Sequence, residues 1–485
     1  MPDQKLSHRF LQYFVLLAAG LCAWSIQGYS QTDSLKRADT TIHADTIRHT
    51  DTLQIPDSVD LPQKKRFWRA SGELMLAQVI PWSVNYFIRD ADFAHISFSS
   101  IWYNLNLSHW EWDDNKFATN QFAHPYQGSL YYSSFRTNGY SFWQAAPAAF
   151  AGSFMWEVAG ETHPGAPNDF INTSMGGISL GEMSYRVANL VVNDQQRGFK
   201  RQLQEIAALV INPMYGFNRI LDGKWGRVRR PDNPSLKRVT LHGLLDGGIR
   251  QYSEKESDLF KRGRNEWYAG LRFLYGDPFK DYRKPFDNFL LQLEVGGGDT
   301  AHINVVKVGG NLYGWQLSST AKATHIGAIT ANYDYYRNSS FFYSGQSINF
   351  NVYSNLPFSR NVHLYSQLGA GIVILAAVPD AYLYYGEGRN YDYGPGISLL
   401  LNERLQLFRK LWFHVTYRGG WTKTINGNKS SFFLHAFTSE LRYDMFKNVS
   451  AGVEWGYFFL DGTYKDYDDV QKKYPYLKAA VGIQF

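Results

Sequence analysis

The chain has one cysteine in 485 residues, at position 22. If the segment that holds it is removed on export, disulfides and thiol chemistry are excluded from the mature protein. No block of Lys or Arg stands out and the formal net charge is only +6, which argues against nucleic acid as a partner. Beyond the N-terminus there is no uninterrupted apolar run of membrane-helix length, and mean hydropathy is −0.35, which excludes a polytopic bundle of membrane helices. His-Glu-x-x-His is absent, no cofactor-binding motif is read, and so no cofactor is expected. None of these absences touches a transmembrane β-barrel, whose strands are each only half apolar.

Aromatic residues are abundant, with 33 Tyr, 33 Phe and 14 Trp, and there are 42 Gly. Barrels share this profile because aromatic girdles sit at both membrane interfaces. Residues 1–30 read as a secretory signal: Lys5, His8 and Arg9 give the charged start, Phe10 to Ile26 the apolar stretch, and Gly28-Tyr29-Ser30 the small residues of a cleavage site. Leu21 precedes Cys22 where a lipoprotein signal needs a small residue, which argues against lipidation. Residues 31–66 are polar and repeat a loose six-residue unit (Ala38-Asp39-Thr40, Ala44-Asp45-Thr46, Thr50-Asp51-Thr52), the composition of a disordered periplasmic linker.

Residues 67–230 read as a mainly helical module, with part of 78–112 held open as strand. Ser141 to Gly160 is small and apolar. Asn168-Asp169 offers capping chemistry for a helical run from Phe170 to Val192. Leu203, Ile206, Ala207 and Val210 recur at helical spacing until Asn212-Pro213. Gly177 and Gly181 form a small-xxx-small element that lets two helices approach closely.

In residues 231–485 the period becomes two. Val449, Ala451, Val453, Trp455, Tyr457 and Phe459 alternate with Ser450, Gly452, Glu454 and Gly456, the mark of a sheet with one apolar and one polar face. Twelve such segments start near residues 236, 267, 288, 303, 322, 346, 362, 393, 411, 431, 448 and 474. Tight turns such as Phe408-Arg409-Lys410 alternate with long polar connectors such as Asp380 to Tyr391, as periplasmic turns and external loops do. The connector Asp277 to Phe286 is the exception, long where a short turn is expected. The fold class is thus mainly β with an α module: a C-terminal antiparallel transmembrane barrel of about twelve strands. The helical plug or periplasmic module precedes it. The alternation predicts a lumen lined by Asp246, Arg250, Arg272, Glu294, Arg418, Glu440, Arg442, Asp444 and Glu454, a mixed set that suits either a wet channel or the grip on a plug. Twelve strands leave space for about one helix of roughly 10 Å diameter, so part of the module is expected to plug or cap the lumen from the periplasmic side. The terminal Phe485 resembles the signal read by the barrel-assembly machinery.

Between Trp110 and Lys224 stand Glu111-Trp112-Asp113-Asp114, His124-Pro125-Tyr126-Gln127-Gly128, Phe135-Arg136-Thr137-Asn138-Gly139-Tyr140, Trp156-Glu157, Asn168-Asp169-Phe170-Ile171, Gly181-Glu182 and Asn212-Pro213-Met214. As a set they resemble a bacterial domain-of-unknown-function family, numbered 3943, found in Bacteroidetes and some proteobacteria. The resemblance implies a Gram-negative outer-membrane or envelope protein and carries no activity or catalytic residues.

Inside the module, Glu157 and Glu161 lie four apart and share a helix face, and His124, His163 and Asp169 can approach them if the helices pack. A carboxylate and histidine cluster near lipid suits general acid–base chemistry or metal-assisted hydrolysis. The same groups equally satisfy one another or helix ends, with Asp169 at a helix N-cap and Glu182 paired to Arg186. The leading expectation is a non-enzymatic barrel, a gated passage for a small solute or an envelope scaffold. A lipid-modifying enzyme using His124, Glu157, Glu161 and Asp169 is one alternative, and a structural or assembly partner of an envelope complex is the other. Expected partners are outer-membrane lipid, the assembly machinery and a periplasmic or envelope protein.

Overall fold

The computed structural model describes residues 53–56, 63–228, and 238–485 except 254–258, 260–262, 281, 283, 298–301, 321, 339–340, 385 and 387. The signal and the six-residue repeat lie outside the described residues. Twelve antiparallel strands close on themselves: β2 (Arg238–Tyr252), β3 (Arg264–Tyr275), β4 (Phe289–Gly296), β5 (Ile303–Thr320), β6 (Ala323–Arg337), β7 (Phe342–Ser359), β8 (Val362–Pro379), β9 (Tyr391–Leu407), β10 (Leu411–Lys423), β11 (Ser430–Phe446), β12 (Val449–Tyr464) and β13 (Val470–Gln484). β2 pairs with both β3 and β13, so no edge is left open. The strand starts agree with the period-two reading, which locates strands well because every residue of a wall declares its face. A short β1 (Leu53–Pro56), inside the segment expected to be a disordered linker, pairs with Arg238–Leu241 of β2.

The helices are α1 (Phe67–Ser83), α2 (Phe98–Asn104), α3 (His124–Arg136), α4 (Phe142–Ala159), α5 (Pro167–Ile171), α6 (Gly177–Val191), α7 (Gly198–Ile211) and α8 (Pro213–Leu221). Residues 78–112 contain no strand: α1 and a π-turn (Val84–Ile88) occupy their first part. Asn212-Pro213 ends α7 and starts α8, with Asn212 Oδ1 accepting from the Tyr215 N–H at 2.9 Å. A Cβ on Gly177 would lie 2.5 Å from the Gly128 carbonyl carbon. The two glycines therefore set how closely α6 approaches α3. None of the described helices is long and apolar enough to cross a membrane.

Alternation decides where the module sits. Arg418 on β10 meets Asp334 on β6, and Arg272 on β3 donates to Glu440 on β11 at 2.8 Å. Each pair is separated by three intervening strands on its shorter arc, so their face of the sheet is the lumen. The opposite face carries the exposed Ile249, Trp267, Ile329, Phe350, Ile397, Phe433 and Val453. Phe273 and Tyr275 continue the face of Trp267, Tyr333 and Tyr335 that of Ile329, and Tyr391 and Tyr393 that of Ile397. These residues are buried, and they form one cluster with Tyr132, Phe142, Ile178, Met183 and Leu190 of the module. The module therefore packs on the outer wall of the barrel, from the short-turn rim, where Phe142 stacks on Phe286, to the long-loop rim, where Trp112 stacks on Tyr393. This corrects the expectation of a helical plug. The lumen is already taken by its own charged side chains, and the outward aromatics of β3 to β9 need cover that only the module supplies.

The exceptional connector 277–286 does turn inward. Gly314 N–H donates to the Tyr282 carbonyl at 2.8 Å, and Tyr282 packs with Ile326, Ala328 and Tyr353. Ile326 and Ala328 share the face of Asp334, so Tyr282 lies on the lumen wall near the short-turn rim, while the connector's last residue, Phe286, is on the outer wall.

Candidate functional site

Two polar constellations stand out. The first fills the lumen. Arg250 donates to Glu294 at 2.5 Å and to Glu266 at 2.7 Å, and Lys478 donates to Glu294 at 2.7 Å. Arg272 and Arg442 both reach Asp246, at 3.1 and 3.0 Å, and Arg442 also reaches Glu440 at 2.8 Å. Glu454 accepts from Tyr476 at 3.0 Å and lies 3.4 Å from Lys478. Asp444 accepts from Trp412 at 2.9 Å and Gln484 at 2.7 Å. Arg272 with Glu440 and Arg418 with Asp334 join strands that are not neighbours in the wall. Sequence spacing could not foresee that partners would come from strands so far apart in the chain.

The second constellation lies at the seam between module and wall, toward the long-loop rim. Glu157 sits near the end of α4, Glu161 follows that helix, Asp169 belongs to α5, and His124 opens α3. His124 Nε2 lies 3.8 Å from Asp169 Oδ2. The Glu157 carboxyl lies close enough to Glu161 to raise it, and Glu157 accepts from the Ala166 N–H at 2.8 Å. Asp169 is not an N-cap, because Ala166 holds that position in α5. Its Oδ1 instead accepts from Asn168 at 2.8 Å, and Asn168 Nδ2 also reaches the Tyr393 hydroxyl at 3.1 Å. Glu157 and Asp169 are 1 % and 3 % exposed, whereas Glu161 is half-buried. His163 stays apart: it is exposed and its ring faces Phe93.

Burial and mutual repulsion raise these carboxyls above their ordinary range. Glu157 is pushed up to about 8, by burial first and then by the charge of Asp169. Glu161 is raised as well, by burial and then by Glu157, Asp169 and Asp113. Asp169 is raised by burial and then by Asp113. The cluster can hold and release protons, which is what a general acid requires. Among the described residues, no group of three or more His, Cys, Asp or Glu has the geometry to hold a metal ion.

Sequence reasoning missed Asp113 and the tyrosines as members of this site, and read Asn168 only as capping chemistry. Asp113 and Asn168 were in plain view beside other polar residues, with no periodicity to single them out. Tyr391 and Tyr393 carried a usable signal. Their alternation puts two hydroxyls on the lipid side, where each needs a partner. Here Asn120 Nδ2 reaches both, at 3.0 and 3.2 Å.

Comparison of the whole chain with curated proteins finds no match. Among solved structures, the NanC porin is similar at 10 % identity and a TM-score of 0.28, over 49 % of this chain and 98 % of that one. The anion-selective porin of Comamonas acidovorans is similar at 10 % and 0.23, over 51 % and 99 %, and the KdgM porin at 9 % and 0.24, over 50 % and 99 %. Scores of this size carry no argument about what passes through this barrel. Residues 109–214, which hold His124, the four carboxylates and the helices that seat them, match the family described as a domain of unknown function (DUF3943), and the chain carries that domain on the outside of a closed twelve-stranded barrel.

Proposed function

We propose that the barrel is a closed outer-membrane anchor and that the DUF3943 module, set in the plane of the bilayer against the outer wall, is the working part, an intramembrane scaffold in contact with lipid. The observation that carries this reading is the outer surface of α1. From Phe67 to Ile88 the helix and its π-turn are about 30 Å long at roughly 1.5 Å per residue, about the thickness of a hydrocarbon core. Trp68, Met75, Leu76, Val79, Ile80, Phe87 and Ile88 are exposed along it. Lys64-Lys65-Arg66 precede this stripe and Arg89-Asp90 follow it. Its buried side carries Glu73 and Gln78, which bond within the module, so the helix can face lipid on one side only.

A gated passage loses its support, since the module stays out of the lumen and ion pairs join strands that are not neighbours in the wall. A lipid-modifying enzyme remains as a second reading, favoured by the carboxyls Glu157 and Glu161, raised by burial, in the neighbourhood of His124.

If the signal is removed, the mature chain has no cysteine, so Ile80→Cys provides a unique reporter. Folded protein in liposomes is expected to react there with a membrane-partitioning maleimide and not with an impermeant charged one, and planar bilayers are expected to show no conductance. Rapid labelling by the charged reagent, or steady open-channel current, sinks the proposal.

A further inference from the structure

Three short turns of the barrel carry the same pair of side chains. The turn from β7 to β8 reads Phe358-Ser359-Arg360-Asn361, that from β9 to β10 Phe408-Arg409-Lys410, and that from β11 to β12 Phe446-Lys447-Asn448. Each sets an aromatic ring within two residues of a cation. The rings are bare: Phe358, Phe408 and Phe446 are 65 %, 71 % and 73 % exposed. Arg360, Arg409 and Lys410 are exposed too, and none of the three makes an ion pair among the described residues.

The turns form one arc. The Phe408 N–H donates to the Asn361 carbonyl at 2.8 Å, the Asp444 N–H to the Lys410 carbonyl at 2.8 Å, and the Gln484 N–H to the Asn448 carbonyl at 2.7 Å. Neighbouring turns are thereby held side by side from β7 round to β13, and the rings and cations belong to one band of the rim. These turns hold four cations and no carboxylate. The long connectors at the far ends of the same strands, 380–390, 424–429 and 465–469, hold five carboxylates against three cations.

The middle turn keeps its side chains against the preference of its backbone. Phe408 and Arg409 have φ of 50° and 60°, and the Lys410 N–H donates to the Leu407 carbonyl at 3.2 Å. This is a tight hairpin turn with both central residues left-handed, the geometry that selects Asn-Gly because those residues tolerate positive φ. Phe and Arg are poor choices for the turn itself, so the reason for them lies in what their side chains meet outside it.

Short turns of outer-membrane barrels face the periplasm, and the leaflet on that side is built of phospholipid. Apolar rings beside Lys and Arg are the pairing that seats a surface at the acyl boundary and draws it to anionic headgroups. We propose that this arc of the short-turn rim binds anionic phospholipid, with the three rings at the acyl boundary and Arg360, Arg409, Lys410 and Lys447 on the headgroups. The arc needs only a barrel that spans a bilayer, whatever the module touches.

The test uses the purified full chain in a non-ionic detergent. It is titrated with phosphatidylglycerol or with phosphatidylcholine of the same acyl length, and bound lipids are counted by native mass spectrometry. Phosphatidylglycerol is expected to bind about tenfold more tightly, the scale of one or two basic side chains at an anionic surface. Arg360→Gln/Arg409→Gln/Lys410→Gln should lose that preference. Lys429→Gln/Lys465→Gln/Lys472→Gln removes as much charge at the opposite rim and should keep it. Phe408→Asn/Arg409→Gly should melt no lower than the wild type in a heat-dependent gel shift and yet bind phosphatidylglycerol several-fold less. Equal binding of the two lipids by the wild type, an undiminished preference in the short-turn variant, or an equal loss in the opposite-rim variant overturns the proposal. A Phe408→Asn/Arg409→Gly chain that binds as tightly as the wild type overturns it too, as does one that melts well below it, since the two residues would then serve the turn. Labelling at Ile80→Cys reads the module alone, so the two proposals fail separately.

Discussion

Removing the carboxylate of Glu182 should loosen the module from the wall without unfolding the barrel. Glu182 is wholly buried. It accepts from Arg136 at 2.7 and 3.2 Å, from Arg186 at 2.8 Å and from Tyr132 at 2.6 Å. Arg186 in turn reaches the Tyr275 hydroxyl at 3.3 Å and the Pro285 carbonyl at 2.9 Å, so this carboxylate orients the cation that fastens α6 to the rim. Glu182→Gln leaves the buried Arg136 without its counter-charge and Arg186 with only Asp287, 3.7 Å away, a defect of about 3–5 kcal/mol. The electrostatics of Glu182 point the same way. Burial opposes its ionisation, but Arg136 and Arg186 outweigh burial and hold it at about 2, against an ordinary value of 4.5. Because the folded value is depressed, this stability is fully present above pH 4.5 and is lost as pH falls toward 2. Limited proteolysis of the module, with barrel integrity followed by gel mobility, provides the assay. Wild type should become cleavable over that acidic window, whereas Glu182→Gln should be cleavable already at neutral pH and nearly flat with pH. A variant as resistant as wild type at pH 7 would refute the reasoning, as would a wild type whose protection is unchanged between pH 5 and 2.

Two further perturbations test the module's interior. Glu157 has the opposite sign: its pKa is raised to about 8, so the stability it lends is full below 4.5 and is lost as pH rises through 8. Glu157→Gln, which keeps an acceptor for the Ala166 N–H, should therefore resist thermal unfolding at pH 9 better than wild type, and equal melting there counts against a buried, protonated cluster. Gly177→Ala places a methyl 2.5 Å from the Gly128 carbonyl carbon and should cost about 1–3 kcal/mol as α6 and α3 are forced apart. An unchanged denaturation midpoint refutes that close approach.

The barrel was legible in the sequence because a wall residue has only two choices, and Val449 to Phe459 make theirs in strict alternation. What the outward face touches was not legible. Tyr333, Tyr335, Tyr391 and Tyr393 obey the same alternation as Ile329 and Ile397, yet the tyrosines meet helices while the isoleucines are exposed. Side-chain polarity is nearly the same requirement in both cases, and so the module looked like a plug. In the site, the spacing of Glu157 and Glu161 told which face they share. The approach of His124 and Asp169 depends on how α3, α4 and α5 pack, and no local pattern encodes it. Glu182 with Arg186 was legible as a four-residue pair, while Arg136, 46 residues away, was not.

The pairing of Leu53–Pro56 with the start of β2 gives the helical module a second attachment, independent of its packing. The chain enters the module just after β1 and leaves it just before β2, so the whole module is the connection of a two-stranded hairpin, with both ends stapled to one point of the rim. A module freed from the wall cannot diffuse away. It remains at high effective concentration, and docking becomes an intramolecular, quickly reversible step. An outer-membrane chain built this way could insert its barrel first and then close the helices onto the finished wall.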